Sequence, residues 1–247
     1  MLPYRVLTAG DTAISIEFGD HVDQQLSLWV LALARRLNEA RMAGVAETVA
    51  TFRSLMVYYD PLVVPTAALT AQIAELMNSI NAENGPVRLW RLPVCYDPEL
   101  ALDLAEVADR TGLTHAGVVE RHAAVIYHVY MLGFLPGFAY LGDVPSELAL
   151  LRRPVPRPRV PAGAVAIAMS MSCIFPRESP SGWHVIGRTP IPLWRQREGG
   201  ECGPLLAPGD KVEFVPISAR EYEDILVDVA DGRLTIAPIE YAKDIAA

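Results

Sequence analysis

Apolar and polar positions recur in two different periods along this chain, and the change of texture divides it in two. In the first part Ile14, Ile16 and Phe18 fall on every second residue, which predicts a half-buried strand over Ala13–Phe18. A strand over Tyr4–Leu7 precedes it across a turn at Gly10-Asp11. Leu26, Trp29, Val30, Leu33 and Leu37 then recur at spacings of three and four, the stripe of an amphipathic helix that ends near Gly44. Ser54–Tyr59 is a β-type run closed by Asp60-Pro61, and Leu69, Ile73, Leu76 and Ile80 repeat the helical stripe until Asn84-Gly85-Pro86 breaks it. Two helices on one face of a short sheet would bury both stripes, so a small α+β domain is expected over residues 1–86.

After that break the pattern predicts a strand over Trp90–Tyr96, a helix over Leu102–Arg110 capped by Thr111-Gly112, and a second helix opening at Thr114. From Ala124 onward only short β runs remain: Val125–Val129, Val165–Met169, His184–Ile186, Pro192–Trp194, Val212–Val215 and Leu234–Ile236, separated by glycine and proline. Many short strands at this spacing predict a barrel or sandwich over residues 87–247.

Composition narrows the class of function. With 247 residues, 51% of them hydrophobic, the chain can bury a substantial core. A formal charge of −8 argues against nucleic acid and anionic membranes as partners, because both carry the same sign. The N-terminal MLPYRVLTAGDTA shows neither a basic leader nor an apolar signal core, so the expected location is cytoplasmic. Cys95, Cys173 and Cys202 lie far apart in no CxxC or Cys/His pattern; no zinc or other metal site is expected, and the thiols are expected reduced and structural. Phosphate-loop, HExxH, GxSxG and GxGxxG motifs are all missing.

Candidate chemistry concentrates between Tyr130 and Thr189. Gly133-Phe134-Leu135-Pro136-Gly137-Phe138-Ala139-Tyr140 follows a predicted strand; its glycines and proline form a stiff turn that either presents backbone N–H groups and aromatic faces to a ligand or plugs a barrel corner. Arg152, Arg153, Arg157 and Arg159 are threaded among prolines that hold the segment extended. Such a row either binds a carboxylate or phosphate or is a solvated strand; with only two lysines, Lys211 and Lys243, arginine here also reflects genome bias. Ser179–Trp183 and Gly187–Pro190 place an indole, an arginine and hydroxyls on one hairpin, a binding face or a core tryptophan. His122, at a helix end just before the strand leading to Gly133, is either a general acid or base at the same pocket or a cap that stabilises the helix dipole.

The motifs RHAAVIYHVYMLGFLPGFAYLG, LRRPVPRPRVPAGAVAIA, ESPSGWHVIGRTP and LLAPGDKVEFVPI, in this order and with YRVLTAGDTAISIEFGD before them, resemble the KipI family, which is also the family of allophanate hydrolase subunit 1 and of the 5-oxoprolinase component PxpB. The resemblance implies an α+β N-terminal domain followed by a mainly-β, cyclophilin-like barrel domain. It implies a component of ATP-dependent 5-oxoprolinase, which opens 5-oxo-L-proline to L-glutamate, active only with a KipA-like partner subunit and a third 5-oxoprolinase component. ATP with Mg²⁺ would be the co-substrate, bound at or with the partner subunit. Relatives also include a histidine-kinase inhibitor and the carboxyltransferase part of urea carboxylase, so those roles stand as alternatives.

Carried over by motif, the catalytic residues would be His122, Arg153 and Arg157, with Gly133, Phe134, Pro136, Gly137, Tyr140, Gly163, Trp183 and Arg188 binding substrate. Arg153 and Arg157 would hold a carboxylate or phosphoryl group while His122 moves a proton. The chain departs from the pattern at Met169–Pro176, where relatives usually carry a glycine-rich Gln-Thr segment ending in Ile-Tyr-Pro, and at Ser181, where a glycine is usual.

Overall fold

The computed structural model describes residues 2–80, 87–196, 200–234 and 236–241, and its contacts divide into two compact units, Met1–Pro86 and Val87–Ala247. The expected break at Asn84–Pro86 lies outside the described residues. The first unit runs β1 (Arg5–Thr8), β2 (Ala13–Glu17), α1 (Gln24–Ala40), β3 (Val45–Ala50), β4 (Ser54–Tyr59) and α2 (Thr66–Ser79). Its four strands form one antiparallel sheet in the order β1-β2-β4-β3. The period-two residues Ile14, Ile16, Leu55 and Val57 are fully buried and share a core with Val30, Leu33, Leu37, Leu69 and Ile73 from the two helical stripes. Asp23 caps α1 by accepting from the Gln25 and Leu26 N–H groups, and Arg41 ends it in the left-handed region.

The second unit begins with β5 (Val87–Cys95), α3 (Leu104–Thr111), α4 (His115–Ala123), β6 (Ile126–Leu132) and β7 (Ala139–Gly142). It continues through a short 3₁₀ turn into β8 (Arg157–Val160), β9 (Ala164–Ala168), β10 (Met171–Ile174), β11 (Ser179–Ser181) and β12 (His184–Arg188). β13 (Trp194–Gln196), β14 (Cys202–Pro204), β15 (Lys211–Ile217), α5 (Ala219–Ala230) and β16 (Ile239–Tyr241) complete it.

Seven of these strands close on themselves in the order β5-β15-β6-β7-β10-β9-β12, and the pairing of Arg188 with Cys95 seals the ring; β16 adds to the free flank of β5. Neighbours are antiparallel except β5 and β15, which run parallel. A closed barrel leaves few edges and encloses its inward residues, here Leu92, Val94, Tyr127, Val129, Leu141, Val165, Ile167, Ile186, Val212 and Phe214. One polar staple ties the start of β15 to β5. Asp210, 4% exposed, accepts from Nε and Nη2 of Arg88 at 2.8 Å each, from Trp90 Nε1 at 2.9 Å and from the Ala207 N–H at 2.9 Å. This joins the turn of the LLAPGD motif to β5.

Local signals and structure differ in several places, and β7, β8, β10, β11 and β14 also fall outside the predicted β runs. β3 carries no strand signal because VAETVA shows no apolar–polar alternation, and it is part-exposed as suits a sheet edge. α5 falls where only β runs are expected, although Ser218 and Glu221 form a complete capping box, a signature visible in the sequence. The strand expected over Pro192–Trp194 starts only at Trp194, because two prolines flank Ile191 and withhold ladder donors. Leu234 and Ile236 lie in no strand, Thr235 lies outside the described residues, and the last strand is β16. Cys95 and Cys173 are buried free thiols, while Cys202 is exposed. No described helix is long and apolar enough to cross a membrane.

Candidate functional site

The turn between β6 and β7 is held in an unusual shape. Phe134 sits at φ 69°, a region that bulky residues rarely occupy, and is 63% exposed. Gly137 follows at φ 81°, where a side chain would meet the Leu193 carbonyl oxygen at 3.0 Å. Backbone bonds from the Gly133 N–H to Phe138 and from the Phe138 N–H to Leu135 close the loop. The consequence is a chain of rings: Phe134 packs edge-on to Phe138 at 5.4 Å, Phe138 edge-on to Phe175 at 5.1 Å, Phe138 on Tyr140 at 4.9 Å, and Tyr140 edge-on to Trp183 at 6.1 Å.

These rings wall a cleft of about 170 Å³, completed by Arg152, Pro180, Ser181 and Gly182. Of the residues expected to bind substrate, Phe134, Tyr140 and Trp183 meet here, with Gly133 and Gly137 shaping the turn behind them. Pro136 faces a neighbouring recess of about 360 Å³ with Pro176, Arg177 and Trp194. Burial pushes the Tyr140 phenol above its ordinary range, while Arg152 pulls it partly back.

The arginine of this cleft is Arg152, one of the candidate row but not one of the two carried over by motif. By motif Arg153 and Arg157 belong to a substrate anion, but the structure turns both toward the buried carboxylate of Asp103. Arg153 Nη1 donates to Asp103 Oδ1 at 2.7 Å and to Glu106, and Arg157 donates to both oxygens of Asp103. Asp103 is 2% exposed and also accepts from the Val185 N–H at 2.8 Å. Its side chain makes no cap bond to α3, which it precedes. Arg157 is held protonated chiefly by its hydrogen bond to Asp103. Both guanidinium groups are engaged by this carboxylate and neither lines the aromatic cleft, although Arg153 keeps a buried Nε with no hydrogen-bond partner among the described residues. His184, which carries no clear sequence signal, joins the same network: its Nε2 lies 2.9 Å from the Leu151 carbonyl and its Nδ1 3.8 Å from Glu106.

Arg152 behaves oppositely. Its guanidinium lies over the Trp183 ring at 5.6 Å and makes no ion pair or hydrogen bond among the described residues. In an extended segment neighbours point to opposite sides, and the bond from the Arg153 N–H to the Gly182 carbonyl at 2.7 Å fixes which side each takes. Alternation predicts that the two face opposite sides, and this long-range bond decides which of them faces the cleft.

His122 is expected to face the Gly133 turn, and the structure buries it completely instead. Its ring stacks on Phe214 at 4.8 Å, Nδ1 lies 2.9 Å from the Tyr96 hydroxyl and Nε2 3.3 Å from Ser172 Oγ. Burial lowers its pKa to about 3. Sealed from solvent, this ring does not line the aromatic cleft.

Gly163 and Arg188 lie at another recess, of about 200 Å³, bounded by Phe175, Pro176, Thr189–Leu193 and residues of α5. Gly163 holds φ 79°, and a side chain there would lie 2.3 Å from the Thr189 carbonyl oxygen, while Arg188 Nε donates to the Ala162 carbonyl at 2.8 Å. Both therefore pin the β8–β9 connection to the end of β12, and Phe175 separates their recess from the aromatic cleft. The unusual Met169–Phe175 segment forms the β9–β10 turn and β10: Met169 takes φ 52°, Met171 through Ile174 are buried, and Phe175 brings an apolar ring to the cleft. No cluster of described residues is suited to hold a metal ion.

Residues 4–202 match the model of the carboxyltransferase domain, subdomain C and D. The chain is 37% identical to the B subunit of 5-oxoprolinase from Bacillus subtilis over 231 residues, covering 89% of this chain and 95% of that one. It is 34% identical to the B subunit of 5-oxoprolinase from Escherichia coli O157:H7, covering 86% and 95%. The crystal structure of Kluyveromyces lactis urea carboxylase superposes with a TM-score of 0.80 at 22% identity, over 96% of this chain and 24% of that one, a likeness of fold.

Proposed function

This chain belongs to the carboxyltransferase subdomain C and D family that includes the B subunit of 5-oxoprolinase, and from that premise we propose that it is one component of an ATP-dependent 5-oxoprolinase, in which ATP hydrolysis drives the opening of 5-oxo-L-proline to L-glutamate. The observation that carries this reading is the aromatic cleft at Phe134, Phe138, Tyr140, Phe175 and Trp183. Flat apolar walls suit a small saturated ring, and a recess of about 170 Å³ is below the roughly 300 Å³ at which drug-sized ligands begin.

The cleft lining offers no carboxylate, cysteine or histidine among the described residues, so walls and orientation come from this chain and the reacting groups from another. This supports a site completed by a KipA-like subunit, with the third 5-oxoprolinase component and MgATP in the same assembly. The barrel is read as cyclophilin-like, residues 1–86 and 87–247 as separate domains, and the location as cytoplasmic. Gly133, Phe134, Gly137, Tyr140 and Trp183 keep their proposed role in substrate binding, and Pro136, Gly163 and Arg188 shape the loops around it.

The test is reconstitution. The chain, its KipA-like partner and the third component are purified separately and mixed with 5-oxo-L-proline and MgATP, and glutamate and ADP are measured. The expected result is coupled release of both only when all three are present. Turnover by the lone chain refutes the shared site, and no turnover by the full mixture refutes the 5-oxoprolinase reading.

A further inference from the structure

We infer that Arg152 is the specificity-determining residue of the aromatic cleft, and that it selects a small ring bearing a carboxylate over an uncharged cyclic or linear amide. The inference rests on the 5-oxoprolinase reading and deepens it. Three observations combine. The cleft lining contains one cation, Arg152, and no acidic residue among the described residues, although the chain as a whole carries a formal charge of −8. The neighbouring arginines are taken up by Asp103 and Glu106, whereas Arg152 makes no ion pair or hydrogen bond among the described residues. Finally, the Trp183 ring supports the guanidinium at 5.6 Å, so a planar donor fork is already placed before a ligand arrives.

An unpaired guanidinium beside apolar rings is an unfinished interaction. A carboxylate completes it with charge-assisted hydrogen bonds, which are roughly twice as strong as neutral ones. The ring that carries the carboxylate then rests against Phe138, Phe175 and Tyr140. A substrate of the urea type satisfies neither half: it has no anion for Arg152 and no methylene surface for the walls. Phe175 adds to this selection, since its apolar ring offers no hydroxyl to an amide at that wall.

The strain at Phe134 points to the same face. A bulky residue at φ 69° and 63% exposed is not explained by core packing. Its ring closes one side of the cleft, as a wall for a bound ring would.

The experiment is calorimetric titration of 5-oxo-L-proline and of 2-pyrrolidinone, the same lactam without the carboxylate, into the wild-type protein, Arg152→Lys and Arg152→Gln. Each protein is used both alone and assembled with its partner subunits without ATP. Wild type is expected to prefer 5-oxo-L-proline by at least about tenfold. Arg152→Gln should abolish that preference while leaving 2-pyrrolidinone binding unchanged, and Arg152→Lys should keep part of it. Arg152 is exposed, so an unchanged melting temperature shows that the variants fold. An unaltered preference in Arg152→Gln, equal binding of the two lactams by wild type, or binding of neither in both preparations overturns the inference. Turnover separates the two levels of the argument. A wild-type complex that hydrolyses 5-oxo-L-proline with an Arg152→Gln complex of unchanged KM removes the role of Arg152 alone. A wild-type complex without turnover removes the 5-oxoprolinase reading, and the binding preference then stands or falls on the titration.

Discussion

Arg152 and Arg153 are adjacent in the chain and serve opposite sides of it: Arg152 lies over Trp183 in the cleft, and Arg153 is bonded to the buried Asp103 at 2.7 Å. One residue of register therefore separates a ligand-facing charge from a structural one. The Arg153→Met substitution is expected to lower stability by about 2–3 kcal/mol, because it leaves Asp103 and Glu106 short of a donor and part of that charge is buried. Urea denaturation measures this. A loss under about 0.5 kcal/mol, the scale of an ordinary surface substitution, would show that the Asp103 network does not hold the segment.

Phe134→Gly should separate stability from binding. Glycine accepts φ 69° without strain, so stability is expected to stay level or rise by up to about 1 kcal/mol. Removal of the ring opens the cleft, and affinity for 5-oxo-L-proline should fall at least about fivefold. Thermal melts and titration report the two effects independently; a variant that binds normally places the ring outside the site.

Gly163→Ala meets two obstacles at once, a φ of 79° and a carbonyl oxygen 2.3 Å from the new methyl group. The backbone must shift where Gly163 and Thr189 are bonded, from the Thr189 N–H to the Gly163 carbonyl at 2.9 Å. A destabilisation of about 2–4 kcal/mol is expected in chemical denaturation. Full stability would mean that the β8–β9 connection is not pinned to the end of β12.

The buried His122 sets a pH dependence whose sign follows from its lowered pKa. Its folded-state value, about 3, lies below the ordinary 6.5 of an unfolded chain, so the unfolded state binds the proton first. Its contribution is fully present above pH 6.5 and is lost as pH falls toward 3. His128, lowered to about 3 by burial and by Lys211, acts in the same direction. Each should add a slope of about 1.4 kcal/mol per pH unit below pH 6.5. Unfolding free energies from pH 8 to 5 should therefore fall less steeply in His122→Gln than in wild type, even though the variant starts lower. Parallel curves would mean that His122 titrates in the native barrel as it does in the unfolded chain.

Periodicity and punctuation alone determined much of this protein. The stripes of α1 and α2, the alternation of β2, the caps around α3 and α4 and the β texture after Ala124 are local properties, set by backbone geometry and burial within one element, and they are legible without a partner. The aromatic turn at Gly133–Tyr140 was legible for the same reason, since its glycines and proline dictate conformation on the spot. Tertiary structure decided what those residues face. Whether His122 looks into a cleft or into the barrel depends on Phe214 and Ser172, which lie 92 and 50 positions further on. Which arginine meets a ligand depends on Asp103, some fifty residues earlier, whose buried charge must be neutralised by the nearest donors. Residue type and spacing state what a side chain can do; the long-range contacts that satisfy buried charge and close the barrel leave only some of those side chains available to do it.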